Sequence, residues 1–214
     1  MNTYPSCALM IGLLALGAGP AQAHSADEHA GHGPAKPRLE ATRVTFADVP
    51  LTDQAGKPIR LEKDLLANKI VVMGFIYTRC TTVCPVVSSI MGKVQQQLGG
   101  RVGTEVQLVS ISVDPLRDDP PRLAAYARQF QHGPGWSWLT GSSQSITATL
   151  KGLGSWSPNL LQHPPLILVG DGNSPHWTRY YGFTDPAVLV REVDELSSLH
   201  RKARRTVIAQ DVQP

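Results

Sequence analysis

The sequence predicts an α/β fold with a mixed central sheet flanked by helices. Runs of β-branched residues alternate with segments in which apolar residues recur every three or four positions. The last two predicted strands are separated only by a tight turn at residues 171–173, so that pair should be antiparallel. Hydrophobic residues form 42% of the 214 residues, which is enough for one buried core. These observations together favour a single α/β domain.

The first half of the folded region predicts two short strands, one buried strand and a helix. Residues 44–61 indicate two short strands around a turn that contains Asp and Gly. Residues 70–77, IVVMGFIY, are a continuous apolar run typical of a strand buried on both faces. Residues 85–98 carry apolar side chains at helical spacing. Pro85 suits the first helical position, and Gly99 suits the end of the helix.

The second half continues the alternation and ends on a hairpin followed by a helix, which Asp185 caps. These elements are strands at 106–113, 165–170 and 177–182, and helices at 119–130, 142–153 and 185–201. The order β-α-β-α-β-β-α, with a cysteine pair where a central strand meets its helix, is the thioredoxin arrangement. We therefore expect a thioredoxin-like fold with an N-terminal β-hairpin.

The N-terminus has the layout of a cleaved export signal. An apolar stretch ends before Ala21-Gln22-Ala23, and it is too short to cross a bilayer as a helix. We expect cleavage after Ala23 and a periplasmic protein. Residues 1–23 contain no Lys or Arg, which is unusual for a signal and leaves an uncleaved anchor or a lipoprotein as alternatives. The predicted domains are a signal peptide at 1–23, a disordered histidine-containing tail at 24–43, a thioredoxin-like domain at 44–203 and a C-terminal tail at 204–214.

Charge and cysteine content exclude two classes of function. A net charge of +3 is too weak to indicate nucleic-acid binding. Three cysteines are too few for a disulfide-rich scaffold, and signal cleavage would remove one of them. Three histidines in the predicted tail could gather metal, but a soluble spacer is the simpler interpretation. They are His24, His29 and His32.

Cys80 and Cys84 are the candidate reactive groups. They lie in TRCTTVCP, between the buried strand and the helix start, where backbone N–H groups and the helix dipole favour thiolate. Thiolate attacks disulfides and also binds metal, so this placement leaves a structural disulfide, a redox pair and a metal site open. Two sulfurs and one imidazole would suit Cu(I), and Cu(II) or Zn(II) would also accept them.

His163 is the strongest candidate for the third ligand. It directly precedes Pro164, Pro165 and the strand LILVG. In a thioredoxin-like fold the loop that enters this strand faces the cysteine loop, so His163 can approach the sulfurs although it is distant in sequence. One of the two prolines is also a candidate for a cis peptide bond. The histidines outside the tail that we do not favour are His132, His176 and His200.

Charged residues flank the predicted site. Asp114 and Asp118, in SVDPLRD, follow the second core strand and could hydrogen-bond near the histidine or the cysteine loop. A simpler role for Asp114 is to shape the turn with Pro115. Arg79 could stabilise a thiolate or meet an acidic partner, and it could equally be a solvated surface residue.

Five motifs in this order resemble the Sco/SenC family of copper-binding, thioredoxin-like proteins. They are YTRCTTVCP, SVDPLRDDPPRLAAYARQF, WSWLTG, His163 before LILVGDGN, and YYGFTDP. The resemblance covers residues 44–199. It implies an exported or membrane-tethered protein that binds one copper, Cu(I) or Cu(II), through Cys80, Cys84 and His163. It also implies a part in assembling the dinuclear copper centre of a respiratory oxidase, by delivering copper or by reducing the cysteines of the target.

The function implied is that of a copper metallochaperone, and thiol–disulfide oxidoreductase activity stays open beside it. Its partners would be a copper-accepting oxidase subunit or another copper protein, together with a copper donor chaperone or a thiol reductase. Contact with a membrane would come through the partner. The alternative is a thiol–disulfide reductase that uses a redox-active Cys80–Cys84 pair and does not need His163. A copper or redox sensor also remains open. A peroxiredoxin-type peroxidase is disfavoured, because Tyr77 stands where that site requires proline.

Overall fold

The computed structural model describes residues 38–211, so the predicted signal peptide and the tail histidines lie outside the described residues. The strands are β1 (Arg38–Arg43), β2 (Pro50–Asp53), β3 (Pro58–Arg60), β4 (Ile70–Ile76), β5 (Val106–Ser112), β6 (Trp136–Thr140), β7 (Leu166–Asp171) and β8 (His176–Tyr181). The helices are α1 (Val83–Leu98), α2 (Pro120–Arg128), α3 (Ser143–Gly152) and α4 (Pro186–Asp211). Over this part of the chain the strands form one sheet in the order β1-β8-β7-β4-β5-β6-β2-β3.

Strand β4 lies inside this sheet and explains why its sequence is uniformly apolar. It pairs in parallel with β5 and antiparallel with β7. All seven of its residues are buried. Its side chains point alternately to the two faces, and both faces are covered. The mixed sheet and the antiparallel β7–β8 hairpin are confirmed.

The helices cover the two faces of the sheet unequally. On one face, α1, α2 and α4 pack over a core that includes Val72, Val169 and Trp138. On the other face, α3 and the turn at Leu61–Leu66 pack over a core that includes Met73, Phe75 and Leu168. Each face therefore has its own hydrophobic cluster, and α1 begins where β4 ends at the edge between them.

Several predicted elements are confirmed, with adjusted ends. The N-terminal hairpin is β2–β3, and β2 also pairs with β6. Helix α1 begins at Val83, so Pro85 is its third residue and not its first. Proline is tolerated there because the first N–H groups of a helix have no intrahelical partner. Strand β6 is absent from the predicted elements, because its serine and threonine weaken the strand pattern.

Regular secondary structure extends past both predicted ends of the folded domain. Residues 38–43 belong to the sheet as β1, which pairs with β8, and not to the tail predicted at 24–43. Edge strands need little apolar sequence, so RLEATR gives a weak signal. Helix α4 continues to Asp211, through most of the predicted tail at 204–214. No Gly or Pro lies between Arg201 and Asp211 to end it.

Two expectations concern features that the described residues lack. Every peptide bond between residues 38 and 211 is trans, so the candidate cis-proline at Pro164 or Pro165 is not formed. Within the same range, none of the helices has both the length and the apolar character needed to cross a membrane.

Candidate metal centre

The cysteine loop, residues 77–84, connects β4 to α1 at one edge of the sheet. Cys80 and Cys84 are both buried and both carry free thiols. The Cys84 N–H donates a hydrogen bond to Cys80 Sγ at 3.3 Å. The Cys80 N–H in turn donates to the Tyr77 carbonyl oxygen at 3.1 Å. Helix α1 therefore directs a backbone donor at the first sulfur, as the sequence predicts.

The pKa values of the two thiols are shifted in opposite directions. Burial raises the pKa of the Cys80 thiol, but hydrogen bonds from the Cys84 thiol, the Cys84 backbone and Thr82 outweigh burial and bring the pKa to about 7. Burial, followed by the hydrogen bond with Cys80, raises the pKa of Cys84 to about 12. Cys80 is therefore the more acidic thiol of the pair, and thiolate is the form that attacks disulfides and binds metals.

A buried carboxylate holds the cysteine loop in place through hydrogen bonds. Asp118 is 1% exposed and accepts hydrogen bonds from the Thr78 N–H at 3.0 Å and the Thr78 hydroxyl at 2.6 Å. It also accepts one from the Ser112 hydroxyl at 2.6 Å. Asp118 thus ties the loop to the end of β5, in agreement with the predicted hydrogen bonding near the site. Thr78 and Ser112 were not predicted, although both are polar residues at the ends of strands.

Asp114 has the simpler of its two predicted roles. Its carbonyl oxygen accepts hydrogen bonds from the N–H groups of Arg117 and Asp118, which closes the turn after β5. Its carboxylate lies 3.3 Å from the Arg117 guanidinium. Arg79 is exposed beside Cys80, and no ion pair involves it among residues 38–211.

His163 follows a short helical turn, Leu160–Gln162, and its ring contacts Phe75 with centroids 5.9 Å apart. Its Nε2 is buried and has no hydrogen-bond partner in the described part of the chain. Burial lowers the pKa of His163, and a hydrogen bond with the Ser155 backbone partly opposes this effect. Burial therefore favours the neutral form of the ring. A neutral imidazole with an unused nitrogen is the form that binds a metal.

The structure brings the two cysteines together but does not assemble them with His163. Over residues 38–211, no three side chains of Cys, His, Asp or Glu are grouped closely enough to hold a metal. Cys80 lines a cavity of about 450 Å³ and His163 lines a neighbouring one of about 310 Å³. The residues common to both cavities are Asp114, Arg117 and Leu160. The three-ligand set therefore stays a prediction.

The donor set can support two kinds of chemistry. Two thiols and an unpartnered imidazole nitrogen are ligands that soft Cu(I) accepts. A thiolate that forms at neutral pH beside a second thiol can also exchange with disulfides. Only the first of these requires His163 to reach the sulfurs.

Comparison with known proteins identifies relatives over most of the described chain. The SCO1/SenC family model matches residues 40–195. The SCO1 protein homolog of Bacillus subtilis is 35% identical over 94 residues, which cover 44% of this chain and 47% of the relative. A Stutzerimonas stutzeri protein, named as a candidate copper-binding protein, is 32% identical over 104 residues and 49% of each chain. The chain thus spans about half the length of these two curated relatives.

A solved structure extends the similarity to the whole fold. The SCO1/SenC family lipoprotein from Bacillus anthracis is 30% identical, with a TM-score of 0.63. The match covers 76% of this chain and 98% of that one. The predicted thioredoxin-like fold is therefore confirmed.

Proposed function

The chain belongs to the SCO1/SenC family, and we propose that it is an exported copper metallochaperone for the copper centre of a respiratory oxidase. It would bind one copper, as cargo, through Cys80, Cys84 and His163. The copper-binding relative from Stutzerimonas stutzeri supports the choice of metal. The signal-like N-terminus and the Bacillus anthracis lipoprotein support export.

The proposal rests on one observation: two thiols of different acidity lie together, and an imidazole nitrogen without a hydrogen-bond partner lies in the adjacent cavity. Cys80 supplies a thiolate near neutral pH, and Cys84 lies at hydrogen-bond distance from it. His163, in the adjacent cavity, keeps a buried Nε2 without a partner. A buried polar atom without a hydrogen bond destabilises the protein. A ligand that binds this atom removes that cost, and the difference adds to the free energy of binding. Copper binding requires the segment that carries His163 to move its Nε2 to the sulfurs.

An anaerobic titration tests the three-ligand site. The reduced protein is titrated with Cu(I) against a competing chelator, beside the variants His163→Ala and His132→Ala. We expect one tightly held copper per chain, weakened at least tenfold by His163→Ala, or about 1.4 kcal/mol. His132 is the matched control, because it too has a buried ring nitrogen without a partner among the described residues. Its variant should bind copper as the wild type does.

The outcome that contradicts the site is equally clear. If the protein fails to compete with the chelator for copper, or if His163→Ala leaves the copper affinity unchanged, His163 is not a ligand and the second candidate function is favoured.

Export is tested separately by sequencing the N-terminus of protein recovered from the periplasm. A mature chain that begins at His24 supports cleavage after Ala23, and a retained N-terminus contradicts it.

The second candidate is a thiol–disulfide reductase that keeps the cysteines of the oxidase target reduced. The low pKa of Cys80 and the protonated Cys84 beside it favour this function specifically. The Cys80 thiolate would attack the target disulfide, and Cys84 would then resolve the mixed disulfide. We expect His163→Ala to leave the reduction rate of a disulfide peptide unchanged and Cys80→Ser to abolish it. Equal loss in both variants would contradict the reductase.

A further inference from the structure

A groove beside the cysteine site contains His163 and also apolar residues that neither copper binding nor thiol exchange uses. It lies between the turn after β5 and helix α3 and has a volume of about 310 Å³. The apolar residues that line this side groove are Val113, Leu116, Ile146, Leu150, Trp156 and Leu160. His163 lines it too, and three of its residues also line the Cys80 cavity. An occupant of the side groove would therefore adjoin the cavity that Cys80 lines.

The rim of the side groove exposes large apolar side chains to water. Leu116 is 81% exposed and Trp156 is 44% exposed, while the floor residues Ile146 and Leu150 are buried. Exposed apolar side chains at the edge of a concave surface are typical of a binding site for another molecule. The volume suits one leucine or aromatic side chain and not a whole domain.

The charge beside Cys80 indicates what accompanies that side chain. Arg79 is exposed and makes no ion pair within residues 38–211, whereas the guanidinium of Arg117 already pairs with Asp114. The free positive charge therefore lies on the cysteine side of the groove. An acidic side chain next to an incoming sulfur would complement it.

We propose that the side groove holds a large apolar side chain of an extended partner segment whose cysteine, flanked by an acidic residue, reaches Cys80. The proposal rests on the proposed function, since copper transfer and thiol exchange both need a partner sulfur at this site. It adds the recognition element: an apolar anchor a few residues from the cysteine. An extended chain advances about 3.3 Å per residue, so neighbouring cavities correspond to a spacing of a few residues.

Synthetic peptides test the anchor. Each contains one cysteine next to Asp, activated as a mixed disulfide with thionitrobenzoate, and either Phe or Ser two, three or four residues away on either side. The Cys80 thiolate attacks the peptide sulfur, so the Cys80–peptide S–S bond forms and the peptide–thionitrobenzoate S–S bond breaks. Thionitrobenzoate leaves with the electron pair, and its absorbance gives the rate.

We expect the Phe peptide of best spacing to react at least fivefold faster than its Ser counterpart. Leu116→Ser and Trp156→Ser should each reduce that ratio below twofold. Leu199→Ser is the matched control, because Leu199 is 61% exposed on α4 and lies outside the side groove. Its ratio should equal that of the wild type. Replacing the Asp of the peptide by Lys should slow the reaction, and Arg79→Gln should remove that difference.

The small reagent 5,5′-dithiobis(2-nitrobenzoate) separates failure of the groove from failure of the site. Normal reaction with this reagent, but a Phe-to-Ser ratio below twofold at every spacing, overturns the side groove and leaves the proposed function standing. A Phe-to-Ser ratio that stays at the wild-type value in both Leu116→Ser and Trp156→Ser also overturns the side groove and leaves the proposed function standing. Dimerisation of the reduced protein that Leu116→Ser abolishes would show that a second copy fills the groove. No reaction with the small reagent would overturn both proposals.

Discussion

The cysteine loop and the histidine segment, residues 154–163, are built in opposite ways. The cysteine loop is bonded to a part of the fold that is distant in sequence, because Asp118, in the turn after β5, accepts hydrogen bonds from both donors of Thr78. In the histidine segment, the N–H groups of Ser155, Gln162 and His163 donate to carbonyl oxygens no more than five residues away. From this contrast we expect the sulfurs to be preorganised and the imidazole to move when copper binds.

That difference suits a protein that must both hold and release copper. A preorganised thiol pair gives affinity because little conformational entropy is lost when the ion binds. A ligand on a locally bonded segment can leave the ion without disturbing the core. Release would then begin at the histidine, and the sulfurs would be the last groups to part from the metal.

Removing one sulfur should have the largest effect and break the preorganised half of the site. Cys84→Ser replaces a soft ligand by a hydroxyl that Cu(I) disfavours. We expect roughly a thousandfold loss of Cu(I) affinity, about 4 kcal/mol, compared with about tenfold for His163→Ala. The same chelator competition measures both variants. Equal losses of Cu(I) affinity in the two variants would show that the sulfurs and the imidazole contribute alike. That result would contradict the expected difference between the cysteine loop and the histidine segment.

Removing the carboxylate under the cysteine loop should have the next largest effect. Asp118→Ala leaves three donors without an acceptor in a buried position, and we expect the free energy of unfolding to fall by about 3 kcal/mol. Urea denaturation measures it. Asp119→Ala, which removes the cap of α2, is the neighbouring control and should cost about 1 kcal/mol. A smaller loss from Asp118→Ala than from the control would show that the loop is held in another way.

The pH dependence of thiol reactivity sharpens the difference between the two sulfurs. Thiolate is the reactive form, so alkylation of Cys80 should rise as pH increases through about 7 and level off above it. Between pH 6 and pH 8 the rate with iodoacetamide should increase about tenfold. Cys84 should stay unmodified over that range, because its pKa is raised to about 12. Peptide mass spectrometry distinguishes the two sites, and an inflection near pH 9 for Cys80 would contradict the assignment.

The smallest effect should come from loosening the histidine segment at its surface. The Lys151 ammonium lies 5.1 Å from the ring of Trp156, and such an exposed cation–π contact is worth about 0.5 kcal/mol. Lys151→Met should change the free energy of unfolding by no more than that amount and the Cu(I) affinity by less than twofold. Isothermal urea unfolding and the copper titration measure the two quantities. A large loss of affinity would show that the segment is anchored where we expect it to move.

The sequence predicts the cysteine loop well because local signals agree there. An apolar run followed by a helical pattern places Cys80 and Cys84 at a strand–helix junction, and the structure confirms that position. The partners of Asp118 could not be predicted in the same way. Asp118 and Thr78 are 40 residues apart, and no periodic pattern links them. Their contact depends on the parallel pairing of β4 with β5.

The weaker predictions concern segments that carry neither a long apolar run nor a regular periodicity. Strand β1 lies at an edge, and β6 is short, so neither required a long apolar run. The histidine segment has no regular periodicity, and the position of His163 is therefore not encoded in a repeating pattern. The two sulfurs are fixed by secondary structure, whereas the approach of the imidazole depends on the conformation of an irregular segment.

The two strands at the borders of the sheet have a consequence for self-association. An unpaired strand border offers a row of N–H and C=O groups to which another chain can add. Strand β3 has only three residues, and Pro58 has no N–H to donate. Strand β1, RLEATR, is charged at three of its six positions, so stacking of identical copies would bring like charges together. Concentrated folded protein should therefore resist growth into amyloid-like polymers, although its sheet has eight strands over the described residues.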